Sequence, residues 1–480
     1  MSLTMRQGPV PATRPRVGAP VTEAADYLQH HRGVMLDRLA EWVRIPSVAA
    51  DPERAVEVVR SAHWLAAEMR AHGLSTTLYP TGDSVAVYGE WLVDPALPTV
   101  LVYSHHDVRH AKPDEWSETD PFTPVLRDGR LYGRGASDAK GQVMAHLWGL
   151  AAHLHAPGRH SPAVNLKLLV EGEEESGSPH LSALLEQEKE RFACDLVVFS
   201  DTLQWKEHAP AAVTSMRGMV SASLTITGPR RDVHSGAASG TTANPLHVLA
   251  DLLSALHDES GRITLPGFYD PVATPSEARR QELRELPFDA DTWTERTETR
   301  AITGEAGFTP LERLWLRPSL EVLSLLAGDP EGIARAVIPS RAQATLNIRT
   351  VPGQRVAEVA AQLRSFVEQR VPATVSYTLE LDEETGQEPY VTPDGPALGA
   401  LKRALASGFG REAVGSMGNA GGGPADLLAE TLGTEVVFLG TGLPEDHWHA
   451  SDESIDVEML ERGAATIAYL WDELGRVLPE

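Results

Sequence analysis

Four short stretches of this chain concentrate side chains that could do chemistry. The first is His105-His106-Asp107, which follows the uncharged run 99–104. In an extended backbone residues two apart face the same way, so His105 and Asp107 point together and His106 points away. A carboxylate beside a histidine fixes the imidazole ring, as metal-ligating histidines require; a structural histidine beside a surface aspartate has the same spelling. The second is Leu131-Tyr-Gly-Arg-Gly-Ala-Ser-Asp138, a glycine-loosened loop opening into the helical pattern 142–154. Asp138 there can cap the helix or hold a cation. The third is Glu171-Gly-Glu-Glu-Glu175, four carboxylates in five residues after a strand-like run. Such like charges repel, and either solvation or a bound cation offsets the repulsion. One carboxylate left free of metal could carry a proton. The fourth is Ser200-Asp201, after the run 195–199. His105, Asp138, the Glu174–Glu175 pair and Asp201 are thus potential ligands on four successive loops after strands.

Those loops need a scaffold of buried strands. Runs 99–104, 163–170 and 195–199 are rich in branched apolar residues, the pattern of parallel strands covered on both faces. Helical spacing of apolar residues recurs over 23–44, 53–71, 396–405 and 455–478. From about 214 the pattern changes. Residues 220–227, 342–350 and 373–381 alternate in polarity, and 244–256 and 356–367 read as helices. Alternation with one wet face predicts a small two-layer α+β sandwich. The polar stretch 274–306 is expected to be helical and partly exposed. The expected architecture is α/β: a doubly wound catalytic domain from 21–213 and 387–480, with residues 214–386 inserted as a second domain. Residues 1–20, with several prolines and arginines and no apolar core, are expected to be mobile.

Composition narrows the partners. At 480 residues two domains are the natural expectation, and 42% apolar with 23% charged residues describes a soluble globular chain. A formal net charge of −25 argues against nucleic acid or an anionic membrane surface. Cys194 is the only cysteine, which excludes an internal disulfide or a cysteine zinc cluster and fits the cytoplasm. No run reaches membrane-spanning length.

Several longer motifs add a resemblance. Ser104-His-His-Asp-Val108, Tyr132-Gly-Arg-Gly-Ala-Ser-Asp-Ala-Lys-Gly141, Glu171-Gly-Glu-Glu-Glu-Ser-Gly-Ser178, Arg231-Asp-Val-His-Ser-Gly236 and Pro266-Gly-Phe-Tyr269 together resemble the carnosinase-like dipeptidases. These belong to the two-zinc metallopeptidase and deacylase superfamily. The resemblance runs from about residue 24 to 474. It implies a zinc-exopeptidase-like catalytic domain and an inserted lid and dimerisation domain. It further implies that His105 and Asp201 hold one metal, Glu175 and His449 the other, and Asp138 both. Asp107 orients His105, Glu174 is the general base, His234 is a lid histidine often contributed by the neighbouring subunit, and Arg349 holds the substrate. His449 is preferred over His447 because the family places this ligand four residues before a Glu, here Glu453. A cis peptide is implied after the bridging aspartate, at Asp138–Ala139.

The implied chemistry is amide hydrolysis by a hydroxide shared between two divalent cations, most simply zinc, with manganese or cobalt as alternatives. Glu174 would take the proton of the attacking water and return it to the leaving amine. Arg349 would grip a substrate carboxylate, aided by backbone N–H groups of Gly421, Gly422 and Gly423. The substrate is a dipeptide or short peptide, since Asp at the position of Asp201 goes with peptidases in this superfamily; an N-acyl amino acid is the alternative. The complete ligand set and Glu174 argue against an inert scaffold. Two segments depart from the dipeptidase pattern: Gly421-Gly-Gly-Pro424 lacks the family's serine, and Leu323–Asp329 replaces a tyrosine- and glycine-rich stretch. His106, His110, His208 and His247 read as ordinary polar residues, and His146, His153 and His155 as packing or surface. Trp116 and Trp205 sit at positions common among the dipeptidases.

Overall fold

The structure is a computed structural model that describes residues 23–329, 332–333, 335–381 and 386–478. The segment 1–20 expected to be mobile lies outside the described residues. A mixed nine-stranded sheet forms the larger layer. Its order is Ser75–Thr81, Ser84–Trp91, Asn165–Glu171, Thr99–His105, Leu196–Phe199, Glu435–Phe438, Ala211–Met216 and Tyr390–Val391, with Gly415–Asn419 also paired to Ala211–Met216. The centre is parallel: Thr99–His105 lies between Asn165–Glu171 and Leu196–Phe199, and Glu435–Phe438 extends the parallel run. Nearly every residue of these central strands is buried, which is why their sequence shows no alternation.

Helices Glu23–Val43, Ala55–Ala71, Lys140–His155, Pro396–Phe409 and Val457–Val477 pack into the apolar cluster on one face of this sheet. Leu181–Gln187 and Ala425–Leu432 pack into the cluster on the other. The doubly wound α/β expectation is met.

The second sheet has four antiparallel strands, in the order Ser319–Ala327, Arg341–Thr350, Gly218–Thr227, Ser376–Leu381. Along Gly218–Thr227 and Arg341–Thr350 buried and half-buried residues alternate. The buried set packs on helices Pro245–Ser254 and Val356–Arg370 as a separate core. The polar stretch 274–306 is less helical than expected. It holds two short helices, Glu277–Glu285 and Ala290–Arg296, started by the caps Ser276 and Asp289. Pro287 falls between them, where a continuous helix would lose a hydrogen bond.

A small three-stranded sheet was not anticipated. Val125–Arg127, Arg130–Tyr132 and Ser454–Asp456 pair antiparallel. The loop holding Asp138 therefore leaves a three-residue strand of this small sheet and not a core strand. Three residues are too few to show a period.

Beneath the site, Lys140–His155 packs on Val457–Val477 through Gly149. A Cβ there would lie 2.7 Å from the Ala464 carbonyl oxygen and 2.6 Å from Ile467 Cγ2. Gly149→Ala should cost about 1–3 kcal/mol by overpacking, read as a lower urea midpoint at unchanged slope. An unaltered midpoint would show that the two helices are free to separate.

Candidate metal centre

The parallel strands deliver their carboxyl ends to one crevice, the place where open α/β sheets bind ligands. His105 ends Thr99–His105. Glu171 ends the neighbouring strand, and the turn Glu174–Ser176 follows it. Asp201 comes two residues after Leu196–Phe199, and the loop carrying His449 follows Glu435–Phe438. His105 Nε2 lies 3.2 Å from Asp138 Oδ1 and 3.6 Å from Asp201 Oδ1. His449 Nε2 lies 2.9 Å from Asp138 Oδ2 and 3.4 Å from Glu175 Oε2. The two oxygens of Asp138 thus face two different groups of potential ligands, His105–Asp138–Asp201 and Asp138–Glu175–His449.

The donor set fits divalent cations. His105 Nε2 and Asp201 Oδ1 are buried without a hydrogen-bond partner, a state that costs free energy unless something binds there. Imidazole and carboxylate donors without a thiolate suit zinc, manganese or cobalt. Asp138 is available for this role because Lys140–His155 begins with no side-chain cap. The Asp138–Ala139 peptide is cis, as the resemblance implies.

Buried acids hold the ligand loops in place. The Asp107 carboxylate lies 3.4 Å from His105 Nδ1. It also accepts from the Glu174 and Glu175 backbone N–H groups at 3.2 and 3.0 Å. One side chain therefore orients a histidine and the turn carrying two glutamates. Glu453 does the same for the Asp138 loop. Its Oε1 accepts from the N–H groups of Gly135, Ser137 and Asp138 at 3.0–3.1 Å, and its Oε2 pairs with buried Arg134 at 2.6 Å. Ser137 Oγ donates to Asp446 at 2.6 Å and accepts from Trp448 Nε1 at 2.7 Å. The His449 loop and the Asp138 loop are thereby fastened together.

Charge in the crevice follows from burial and proximity. Burial pushes the Glu174 carboxyl well up, and Asp201, Glu171 and Asp107 add to this against the pull of His105. Burial likewise pushes Glu175 well up, with Asp138 adding to it. Burial pushes Glu171 up to about 8. For His105 and His449 burial opposes the charged form, but the facing carboxylates outweigh it and raise both. Asp138 moves down, because the two facing histidines outweigh burial.

The residues expected to face the substrate lie on the second sheet and the glycine loop. Arg349 is half-buried on Arg341–Thr350, and its guanidinium makes no hydrogen bond or ion pair with another described residue. A Cβ on Gly422 would lie 3.2 Å from Arg349 Nη1 and 1.9 Å from Gln387 Oε1, so only glycine admits this approach. Gly423 abuts the ring of Phe199, at the end of the strand leading to Asp201, and Gly421 lies beside Asn419. His234 stands exposed on the two-residue strand Val233–His234, and no hydrogen bond or ion pair ties it to the ligand cluster among the described residues. His447 turns toward a separate cavity with Glu118, Arg130 and Asp452.

Other residues take structural places, of which only the packing of His146 and His153 was expected. His106 is fully buried on the Val85 carbonyl, and burial lowers its pKa to about 4. His146 is buried and His153 bonds the Ala468 carbonyl. Trp205 packs edge-on against Trp315, and Arg134 stacks over Trp116. Arg217 donates twice to the Ala420 carbonyl, supporting the glycine loop. Arg109 reaches Glu175. Glu453 had served only as a spacing marker.

These shifts set the pH response of the metal-free protein. Glu171, Glu174 and Glu175 bind protons more tightly folded than unfolded, and so do His105 and His449. Their stabilising contribution is present below the unfolded values and is lost as pH rises, for Glu171 between about 4.5 and about 8. Chelator-treated protein should have a lower urea midpoint near pH 8 than near pH 6. Saturating zinc or manganese should stabilise it more at the higher pH, since the ligands bind deprotonated. A flat metal-free profile would contradict this account.

The whole chain has known relatives. It is 28% identical to the Beta-Ala-His dipeptidase of Rattus norvegicus, over 94% of this chain and 95% of that protein. It is 29% identical to the Cysteinylglycine-S-conjugate dipeptidase of Corynebacterium striatum, over 91% and 94%. The crystal structure of human carnosine dipeptidase 1 superposes with a TM-score of 0.80 at 27% identity, covering 95% of this chain and 99% of that one. Residues 101–473 match the model of peptidase family M20/M25/M40, a span that takes in every ligand candidate named above, and the chain belongs to that family.

Proposed function

We propose that this protein is a dinuclear metal-dependent dipeptidase that hydrolyses dipeptides or short peptides with free ends. The observation that carries this reading is the pair of ligand groups sharing Asp138, with Glu174 beside them and unclaimed by either. The names of the rat and C. striatum relatives support a dipeptide substrate. Zinc is the metal we infer, with manganese or cobalt able to take its place. Two divalent cations held by His105, Asp138, Glu175, Asp201 and His449 would supply Lewis-acid polarisation of the scissile carbonyl and a water that ionises near neutral pH.

The protein's own groups do the rest. Glu174 accepts the proton of the attacking water and passes it to the leaving amine. Asp107 keeps the His105 ring and the Glu174–Glu175 turn in register. Arg349 binds the substrate carboxylate through two parallel hydrogen bonds, and N–H groups of Gly421, Gly422 and Gly423 line the same subsite. Burial lowers the Arg349 pKa, so an incoming carboxylate replaces lost solvation.

His234 lies outside the ligand cluster of its own chain, and we infer that it serves the site of a second copy, stabilising the oxyanion. Residues 214–386 act as lid and dimerisation domain on a catalytic domain of 21–213 and 387–480. The edge strand Ser319–Ala327 exposes Leu323, Leu325 and Leu326 at 64%, 51% and 59%. Bare apolar edges invite pairing, and a second copy would cover this one. Among the described residues no helix is long and apolar enough to cross a membrane. The single cysteine fits a cytoplasmic location.

Glu174→Gln should lower kcat on a dipeptide by about 10²–10⁴-fold while metal content stays unchanged. Retained turnover would remove Glu174 from the mechanism. Dipeptide and N-acetyl or N-succinyl amino-acid panels, run with added zinc, manganese or cobalt, separate the dipeptidase from the N-acyl-amino-acid amidohydrolase alternative. Leu325→Lys should give a monomer by light scattering with greatly reduced turnover. A fully active monomer would rule out a trans role for His234.

A further inference from the structure

The two ligand groups are not equivalent. In the His105–Asp138–Asp201 group the one basic side chain is His105 itself. In the Asp138–Glu175–His449 group, Arg109 Nε lies 2.7 Å from Glu175 Oε2. That is the same oxygen that faces His449 Nε2. The Glu175 side chain is 3% exposed and the Arg109 side chain 48%. The guanidinium therefore reaches in from the rim and covers a ligand oxygen from the solvent side. Arg109 follows directly on the His105–Val108 stretch, so its backbone is anchored by the loop that holds the other group's histidine. Val108 N–H bonds the Ser47 carbonyl there.

We propose that Arg109 is the resident counter-ion of the Asp138–Glu175–His449 group, which a divalent cation must displace, so that the two metal sites fill in order with the His105 site first. A guanidinium cannot withdraw by losing its proton at any ordinary pH. It has to swing away from Glu175, and its half-exposed position gives it solvent to swing into. Ion pairs that exposed are weak, so displacement handicaps the second cation without barring it. After displacement the positive charge remains close to the second cation, and that repulsion acts in the same direction. The result is a site whose occupancy responds to the supply of free metal while the first site stays filled. The inference rests on the two-cation reading of the centre and does not depend on which substrate is hydrolysed.

Calorimetric titration of chelator-stripped protein with zinc, repeated with cobalt and its visible absorption, tests this. Wild type should bind two equivalents in two classes. Arg109→Gln should tighten the weaker class by about tenfold and leave the stronger class within about twofold. Arg109→Lys keeps the charge, loses the Nε donor and should fall between them; it also serves if the Gln variant folds poorly. Metal-free Arg109→Gln should have a lower urea midpoint than wild type near neutral pH, and saturating zinc should remove the difference. A second-site affinity unchanged or weakened in Arg109→Gln would overturn the proposal, as would two equal sites in wild type. Failure of either protein to bind any cation would sink the metal-centre reading and this inference with it. Binding as described without dipeptide hydrolysis would leave this inference standing and remove only the substrate assignment.

Discussion

Mutual repulsion among buried carboxylates is the constraint on which this structure depends. Asp107, Asp138, Glu175 and Asp201 all lose their solvent in one crevice, with Glu174 half-buried beside them. Left to themselves such groups would take up protons or move apart. The fold prevents the second outcome. Parallel strands fix where the His105, Glu174–Glu175 and Asp201 segments start, the small antiparallel sheet fixes the start of the Asp138 loop, and Asp107 and Glu453 fix the loops themselves by collecting backbone N–H donors. Donors held together against their own repulsion form a site whose geometry is prepared for positive charge. The histidines, Arg109 and ultimately divalent cations are the means by which that charge arrives.

The second sheet matters because hydrolysis needs the substrate placed as well as attacked. Arg349 stands on the four-stranded sheet, while His105, Glu175 and Asp201 follow strands of the main one. The glycine loop meets both: Gly423 lies on Phe199, Gly422 beside Arg349, and the Ala420 carbonyl on Arg217. Burial and the neighbouring Arg349 lower the Arg217 pKa to about 9. Two guanidiniums held close, within an acidic protein, define one place that favours an anion. The chain thus separates its charges, acid around the candidate metal centre and base beside the glycine loop.

Much of this was legible in the sequence, for identifiable reasons. The strands before His105, Glu171 and Asp201 are buried on both faces, so their runs stand out against the charged loops that follow. Strict alternation revealed Gly218–Thr227 and Arg341–Thr350 because one face of that sheet is wet. That Arg130–Tyr132 belongs to a small separate sheet was not legible, because three residues show no period and its partner Ser454–Asp456 is remote in the chain. Glu453 and Asp446 were unreadable as organisers because their partners lie more than 300 residues away, and no local spacing marks them. Arg109 sits beside a recognisable motif, yet nothing in the order of residues says that its side chain turns toward Glu175. His106 looked ordinary because burial is a property of the folded chain.

The most direct test of a centre organised around Asp138 is anomalous diffraction at the zinc absorption edge from crystals soaked in zinc. The account predicts two peaks, about 3.5–4 Å apart, with the Asp138 carboxylate between them. One peak would lie against His105 and Asp201, the other against Glu175 and His449. A single peak at saturating zinc, or peaks that do not share Asp138, would contradict it.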